Sequence, residues 1–403
     1  MSGNRSLRPR PRLTSDRVAP ARPYHALRPP TPASGGRRSG WFGAGPRVAP
    51  LFASLLLVAS ALGTLWLANL SSSGGGPVGE GPAVTEGVQV DGSIVFARDG
   101  ALWSLSGSTI IQVTDAATDG EPAWSRDGTW LYFIRQRSER GGRLNAAGGV
   151  TPYRLTVPTL MRVGARGGEA EEILDGLLTG SSPELNFSTF MFDPALGARG
   201  EVALATDYKG GSQLGGDVII RILQPDGRML TPELPDEAPF GHQDPAWSAD
   251  GSGLYYVQNG QGEGGSASRI IYYDTGSDQV VRFGGRGYIE PAVSPDGRWV
   301  AATRIDKKGT DVVILSAATG EMVLEVTRTG RSWSPAWSPD GSALIFLAAR
   351  ESAATLQQVT ISAPPSGVPT IVASVQLLRD LVDAGVRPAW GPLSSEGQGG
   401  VTP

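Results

Sequence analysis

Glu121-Pro122-Ala123-Trp124-Ser125-Arg126-Asp127-Gly128, followed by the apolar run Trp130-Leu131-Tyr132-Phe133-Ile134, is a phrase this chain repeats. It returns as Asp244-Pro245-Ala246-Trp247-Ser248-Ala249-Asp250-Gly251, as Glu290-Pro291-Ala292-Val293-Ser294-Pro295-Asp296-Gly297 and as Ser334-Pro335-Ala336-Trp337-Ser338-Pro339-Asp340-Gly341, each with an apolar run behind it. A decayed copy spans Phe192-Asp193-Pro194-Ala195-Leu196-Gly197. A phrase recurring every few tens of residues marks a repeat architecture. Each copy reads as a β-hairpin: a short strand carrying the Trp, a turn whose Asp-Gly tolerates positive φ, then a β-branched or aromatic strand. Proline before the Trp removes a ladder donor, so the first strand belongs at a sheet edge.

Counted at 124, 192, 247, 293 and 337, the copies are separated by 68, 55, 46 and 44 residues. The shorter steps match a four-stranded propeller blade of about 40–50 residues. Arg387-Pro388-Ala389-Trp390-Gly391-Pro392 begins a sixth copy that lacks its second half, and Asp91-Gly92-Ser93-Ile94-Val95-Phe96 supplies that half from the other end of the domain. The phrase is cut within its turn, which predicts ring closure by the last strand. The fold expected is an all-β, six-bladed propeller over 88–392, preceded by a disordered tail and one transmembrane helix.

At these residues the sequence resembles the WD40-like (PD40) repeats of the TolB-type six-bladed propeller. That resemblance implies a binding platform of the bacterial cell envelope. The TolB type contacts a peptidoglycan-associated lipoprotein; here the partner expected is an unidentified envelope protein or lipoprotein. The α/β domain that accompanies the TolB propeller has no counterpart, and a membrane anchor stands in its place.

Residues 1–50 hold ten Arg against Asp16, a net of +9, and read as a disordered cytoplasmic tail. Lipid or nucleic-acid binding by this tail is the alternative reading. Leu51–Leu70 is twenty residues without a charge, long enough to span a bilayer core of about 30 Å as a helix. Arginines on its N-terminal side predict an N-in anchor and an extracytoplasmic propeller. A cleaved leader ending at Ala59-Ser60-Ala61 and a twin-arginine signal at Arg37-Arg38 are the competing readings. A flexible linker follows over 71–87, and 393–403 reads as a disordered tail. Beyond the N-terminal tail the chain carries a net −13, which argues against nucleic acid and favours cationic partners for the propeller.

Chemistry is sparse. With no cysteine, disulfides, thiolate metal sites and thiol catalysis are excluded. Only His242 lies within the propeller, and no Gly-x-Ser-x-Gly elbow or phosphate loop accompanies it, so no catalytic residue is assigned. Glu121, Asp244 and Glu290 hold one place in three copies and should converge near the channel mouth. They are candidate ligands for a hard cation such as Ca²⁺, or acceptors for a partner's basic side chain. Local hydrogen bonds to turn backbone are the plainer use. No other cofactor is expected. Ser334 and Arg387 interrupt the acidic set, and Arg387 could neutralise a neighbour.

Further expectations are a projecting loop or irregular hairpin over Arg137–Gly168 and a short helix over Val375–Ala384. The function expected is a non-catalytic interaction scaffold or sensor. A glycan or small-molecule sensor, or the propeller subunit of a peptidase or hydrolase, are the alternatives.

Overall fold

The computed structural model describes residues 81–393, apart from 145–148, 181, 211–212, 235–240, 261–267 and 366. The expected tail, membrane span and C-terminal tail, with most of the linker, lie outside this range. Among the described residues no helix is long and apolar enough to cross a membrane.

Six four-stranded antiparallel sheets follow one another around a ring. Blade 1 comprises Val90–Arg98, Ala101–Gly107 and Thr109–Gln112, with Ala389–Gly391 as its innermost strand. The pairs Ser93↔Gly391, Ile94↔Trp390 and Val95↔Ala389 seal the ring where the sequence phrase is cut. Closure covers the edge of Val90–Arg98 that the chain's first strands would otherwise leave bare. The other innermost strands are Asp119–Trp124, Met191–Leu196, His242–Trp247, Tyr288–Val293 and Ser332–Trp337, in blades 2 to 6.

Six apolar clusters hold the ring together, each shared by neighbouring blades. Val95, Ala97 and Leu102 of blade 1 meet Leu131, Phe133 and Val163 of blade 2. At the seam Ile94, Phe96 and Leu105 meet Ile345, Leu347 and Leu356 of blade 6. The second strand of each blade is apolar on both faces because it is packed from both sides; Gly253–Gln258 of blade 4 is buried at every position.

The Trp side chains wedge between blades. Trp247 and Trp337 donate Nε1–H to the carbonyls of Ala195 and Ala292, each in the preceding blade, at 3.0 Å. The turns share one network. In blade 6 Ser338 donates to Asp340 at 2.7 Å and accepts from the Ala343 N–H, while Asp340 accepts from the Ser342 N–H. Those bonds hold the Asp127 and Asp250 carboxyls down at about 2, the Ser125 and Ser248 hydroxyls contributing most.

Three expectations are corrected. The register Ala195↔Ala203 and Leu196↔Val202 puts Leu196, not residue 192, in the Trp place of blade 3. Arg137–Gly168 is largely regular: Trp130–Leu144 and Val150–Gly164 pair over fifteen positions, an arm about 50 Å long at about 3.4 Å per residue. The rest of the long step is a small lobe, Leu177–Leu178 paired with Phe187–Ser188. It is fixed to the arm by Ser188 Oγ donating to the Thr156 carbonyl and Asn186 Nδ2 donating to that of Arg140.

Val375–Ala384 is not helical. Its backbone donors go to neighbours instead, Leu377 N–H to Leu356, Val382 N–H to Ala354 and Asp383 N–H to Ala97. Its helix-like apolar spacing is satisfied by an extended strap that buries Leu377, Leu378, Val382 and Ala384 between blades 6 and 1. Tertiary bonding overrides local propensity here.

Candidate functional site

The hub is built from one backbone irregularity repeated five times. In blades 2 to 6 the ladder between the first two strands slips at the same place, leaving Glu121-Pro122, Asp193-Pro194, Asp244-Pro245, Glu290-Pro291 and Ser334-Pro335 outside the pairing. The residue before each Pro has φ between 52° and 55°, a left-handed conformation that non-glycine residues seldom adopt and a following Pro discourages further. A bulge frees the Pro from any demand for a ladder hydrogen bond and aims the preceding side chain at the axis.

Strain of this kind, of order 1–3 kcal/mol per residue, persists only where surrounding structure over-determines it. A relay of hydrogen bonds between blades supplies that. The Asp193 N–H donates to Glu121 Oε2 at 2.6 Å and the Asp244 N–H to Asp193 Oδ2 at 3.1 Å. The Glu290 N–H donates to Asp244 Oδ2 at 3.0 Å and the Ser334 N–H to Glu290 Oε2 at 2.7 Å. Glu290 also accepts from the Ser334 and Thr303 hydroxyls, at 2.8 and 2.5 Å. Each acid is thus tied to the backbone of the next blade's bulge, where the sequence suggested ties within its own turn.

Arg387 takes the sixth position, in blade 1. Its Nη1 reaches Asp244 Oδ1, on the opposite blade, at 3.1 Å. The predicted set Glu121, Asp244 and Glu290 is therefore brought together, with Asp193 as a fourth member that sequence reading left out. The signal was present: in the decayed copy Asp193-Pro194-Ala195 matches Asp244-Pro245-Ala246 once Leu196 is aligned with Trp247.

Four carboxylates face one guanidinium. Burial pushes the Glu121 carboxyl up to about 7, against the Asp193 N–H and the Arg387 charge. Asp193 rises to about 6, through burial and then the Glu121 charge. Asp244 rises to about 6, through burial and then the Asp193 charge. Burial works against the Arg387 cation, yet the four carboxylates, Asp244 foremost, hold its pKa above the usual arginine value. Among the described residues no group of three acidic or His side chains has the arrangement of a metal centre.

On the face carrying the Asp-Gly turns the hub opens into a cup of about 310 Å³. Prolines 122, 194, 245, 335 and 388 and the small residues Ala123, Ala292, Ala336 and Ala389 line it, with Glu121, Asp193 and Arg387 also exposed to it. His242 lies at the start of its inner strand, 2% exposed, its ring 4.8 Å from that of Tyr256. Its surroundings are those of a packed side chain.

No family model matches the chain, and no curated protein matches it. Among solved structures it is similar to TolB from Acinetobacter baumannii, at 17% identity and a TM-score of 0.51, over 76% of this chain and 69% of that one. An Agrobacterium tumefaciens protein assigned as TolB aligns at 16% identity, TM-score 0.45, over 72% and 91% of the two chains. A chain of a nidogen/laminin complex aligns at 12%, TM-score 0.47, over 75% and 98%. With the closed ring of six sheets, the likeness shows the fold of this chain to be a TolB-like six-bladed β-propeller.

Proposed function

We propose that this chain is a single-pass membrane protein whose propeller, displayed outside the cytoplasm of a bacterial cell, binds a protein partner of the envelope and acts as a scaffold or sensor without catalysing a reaction. The cup over the hub carries this reading. Its walls are proline and alanine backbone held by blade closure, so it is rigid, and a preformed recess loses little freedom on binding. Its floor presents carboxylates with one bound guanidinium, which suits a segment that brings apolar contact and a cationic group.

A photo-crosslinking residue in place of Pro295, exposed at the cup, tests the reading in membranes carrying the full chain. A discrete protein adduct that disappears in Pro339→Glu supports a scaffold. Capture of glycan or small molecule alone supports the sensor reading instead, and turnover of peptide or glycoside substrates that His242→Ala abolishes would return the chain to the enzymes.

A hard cation at Glu121, Asp244 and Glu290 is the second use the sequence offers for the hub, with the excess of carboxylate over guanidinium in its favour and the lack of a metal-centre arrangement among the described residues against it. Calcium titration decides it. A rise in thermal midpoint that vanishes in Glu121→Gln/Asp244→Asn supports the ion, and an unchanged midpoint removes it.

A further inference from the structure

We infer that the outer edge of blade 6 is a membrane-docking surface: the charge-free strand Thr370–Gln376 rests, through Ile371, Val372 and Val375, on the phospholipid bilayer that anchors the tether. This rests on the tethered reading given above.

The outer edges of the blades are not alike. Those of blades 2, 4 and 5 carry ionised residues: Glu171, Glu172 and Asp175; Arg282 and Arg286; and Glu325. Those of blades 1 and 3 have only four and two residues. Blade 6 offers seven residues, and no ionisable side chain occurs in the 27 residues from Ser352 to Leu378. Val372 is 66% exposed, more than any other large apolar side chain among the described residues, and Val368, Ile371 and Val375 near it in the chain are exposed as well. Exposed apolar side chains so grouped mark an interaction surface.

Two observations choose lipid as the occupant. The first is where the chain outside the structure joins. The Ala83 N–H donates to Asp380 Oδ2 at 2.6 Å, the Arg379 N–H to the Ala83 carbonyl and the Thr85 N–H to that of Leu377, both at 2.9 Å. The tether therefore leaves the propeller from the end of this same strand. Twelve residues, and so thirteen chain steps, separate Ala83 from Leu70, the end of the apolar run, so the point where the tether joins this edge stays within about 45 Å of it even with the chain fully extended.

The second is a bulge. The ladder slips between Thr360 and Ile361, leaving Val372 unpaired and turned outward. A bulged edge is a poor template for another strand, which disfavours sheet extension by a second copy, while a protruding valine on a strand whose tether end carries exposed Arg350 and Arg379 suits an interfacial contact with headgroups.

The absence of cysteine makes the test direct. The full chain, carrying Val372→Cys or, as the control on blade 4, Val281→Cys, is labelled with a fluorophore. It is then reconstituted into vesicles of phosphatidylcholine and phosphatidylglycerol with brominated acyl chains. Quenching several-fold greater at 372 than at 281 is expected, falling to the control level when Ile371→Asp and Val375→Asp are added. Equal quenching at both positions, with the chain in the vesicle fraction, overturns the docking surface and leaves the tether standing. Energy transfer between copies labelled at 372, insensitive to bromination, overturns it in favour of a second copy. A chain that does not fractionate with vesicles overturns the tether and the docking surface together.

Discussion

Arg387 and Asp244 stand three blades apart, on opposite sides of the hub, and the guanidinium spans the axis to meet the carboxylate at 3.1 Å. Two opposite blades, joined through residues 143 positions apart in the chain, are thereby cross-braced at one point. The brace also supplies the positive charge that lets four acids share a closed space.

Arg387→Met removes that charge and leaves the acids uncompensated. Stripping one partner from a buried ion pair costs about 3–5 kcal/mol. We expect a loss of about 3 kcal/mol in urea unfolding near pH 8, above the raised pKa values of Glu121, Asp193 and Asp244, and a smaller loss near pH 5. A variant as stable as the parent at both values would show that the brace contributes nothing. Adding Asp244→Asn to it should recover part of the loss, because the two changes act on one interaction.

The acids set the pH dependence. Glu121 at about 7, and Asp193 and Asp244 at about 6, lie above ordinary carboxylates, so the folded protein holds protons that the unfolded chain has released. Their contribution is complete below about pH 4 and is lost as pH rises through 6 and then 7. Asp127 and Asp250, lowered to about 2, act oppositely, their contribution fading as pH falls from about 4 towards 2. Stability should thus peak near pH 4 and decline until about pH 7, each buried acid adding at most about 1.4 kcal/mol per pH unit to the slope. Urea midpoints from about pH 3 to 8 check it, and Glu121→Gln should flatten the limb between about pH 4.5 and 7. A midpoint that rises towards pH 8 would contradict the assignment.

Gly391 stands where four other copies of the phrase have Ser, at 125, 248, 294 and 338. A Cβ there would lie 2.3 Å from Cγ of Trp124, so the seam between blades 1 and 2 admits only glycine. Gly391→Ser should cost about 1–3 kcal/mol by overpacking. The reverse change in blade 6, Ser338→Gly, fails for a different reason, losing the hydroxyl that bonds Asp340 and the Ala343 N–H. Equal thermal midpoints for parent and Gly391→Ser would refute the steric reading.

Deleting residues 389–403 removes the inner strand of blade 1 and bares the edge at Ser93–Val95. The shortened propeller should unfold in a broader transition, and its light scattering should grow with concentration as open edges pair between molecules. A sharp, concentration-independent transition at the parent midpoint would mean that closure is dispensable.

The repeated phrase, its spacing and the half-copies at 91–96 and 387–392 determined the ring, its six blades and its seam, because turn chemistry and alternating burial are local and recur in register with the sequence. The Asp-Gly turns were legible for the same reason. Tertiary structure alone decided that the residues before proline sit in strained bulges, that each acid bonds the next blade's backbone, and that Arg387 reaches across to Asp244. Those contacts join residues tens to more than a hundred positions apart, where no local pattern fixes the partner. The strap at 375–384 shows the same limit from the other side. Its apolar spacing fitted a helix, but Leu356, Ala354 and Ala97 offered its backbone better hydrogen-bond partners than its own preceding turn could.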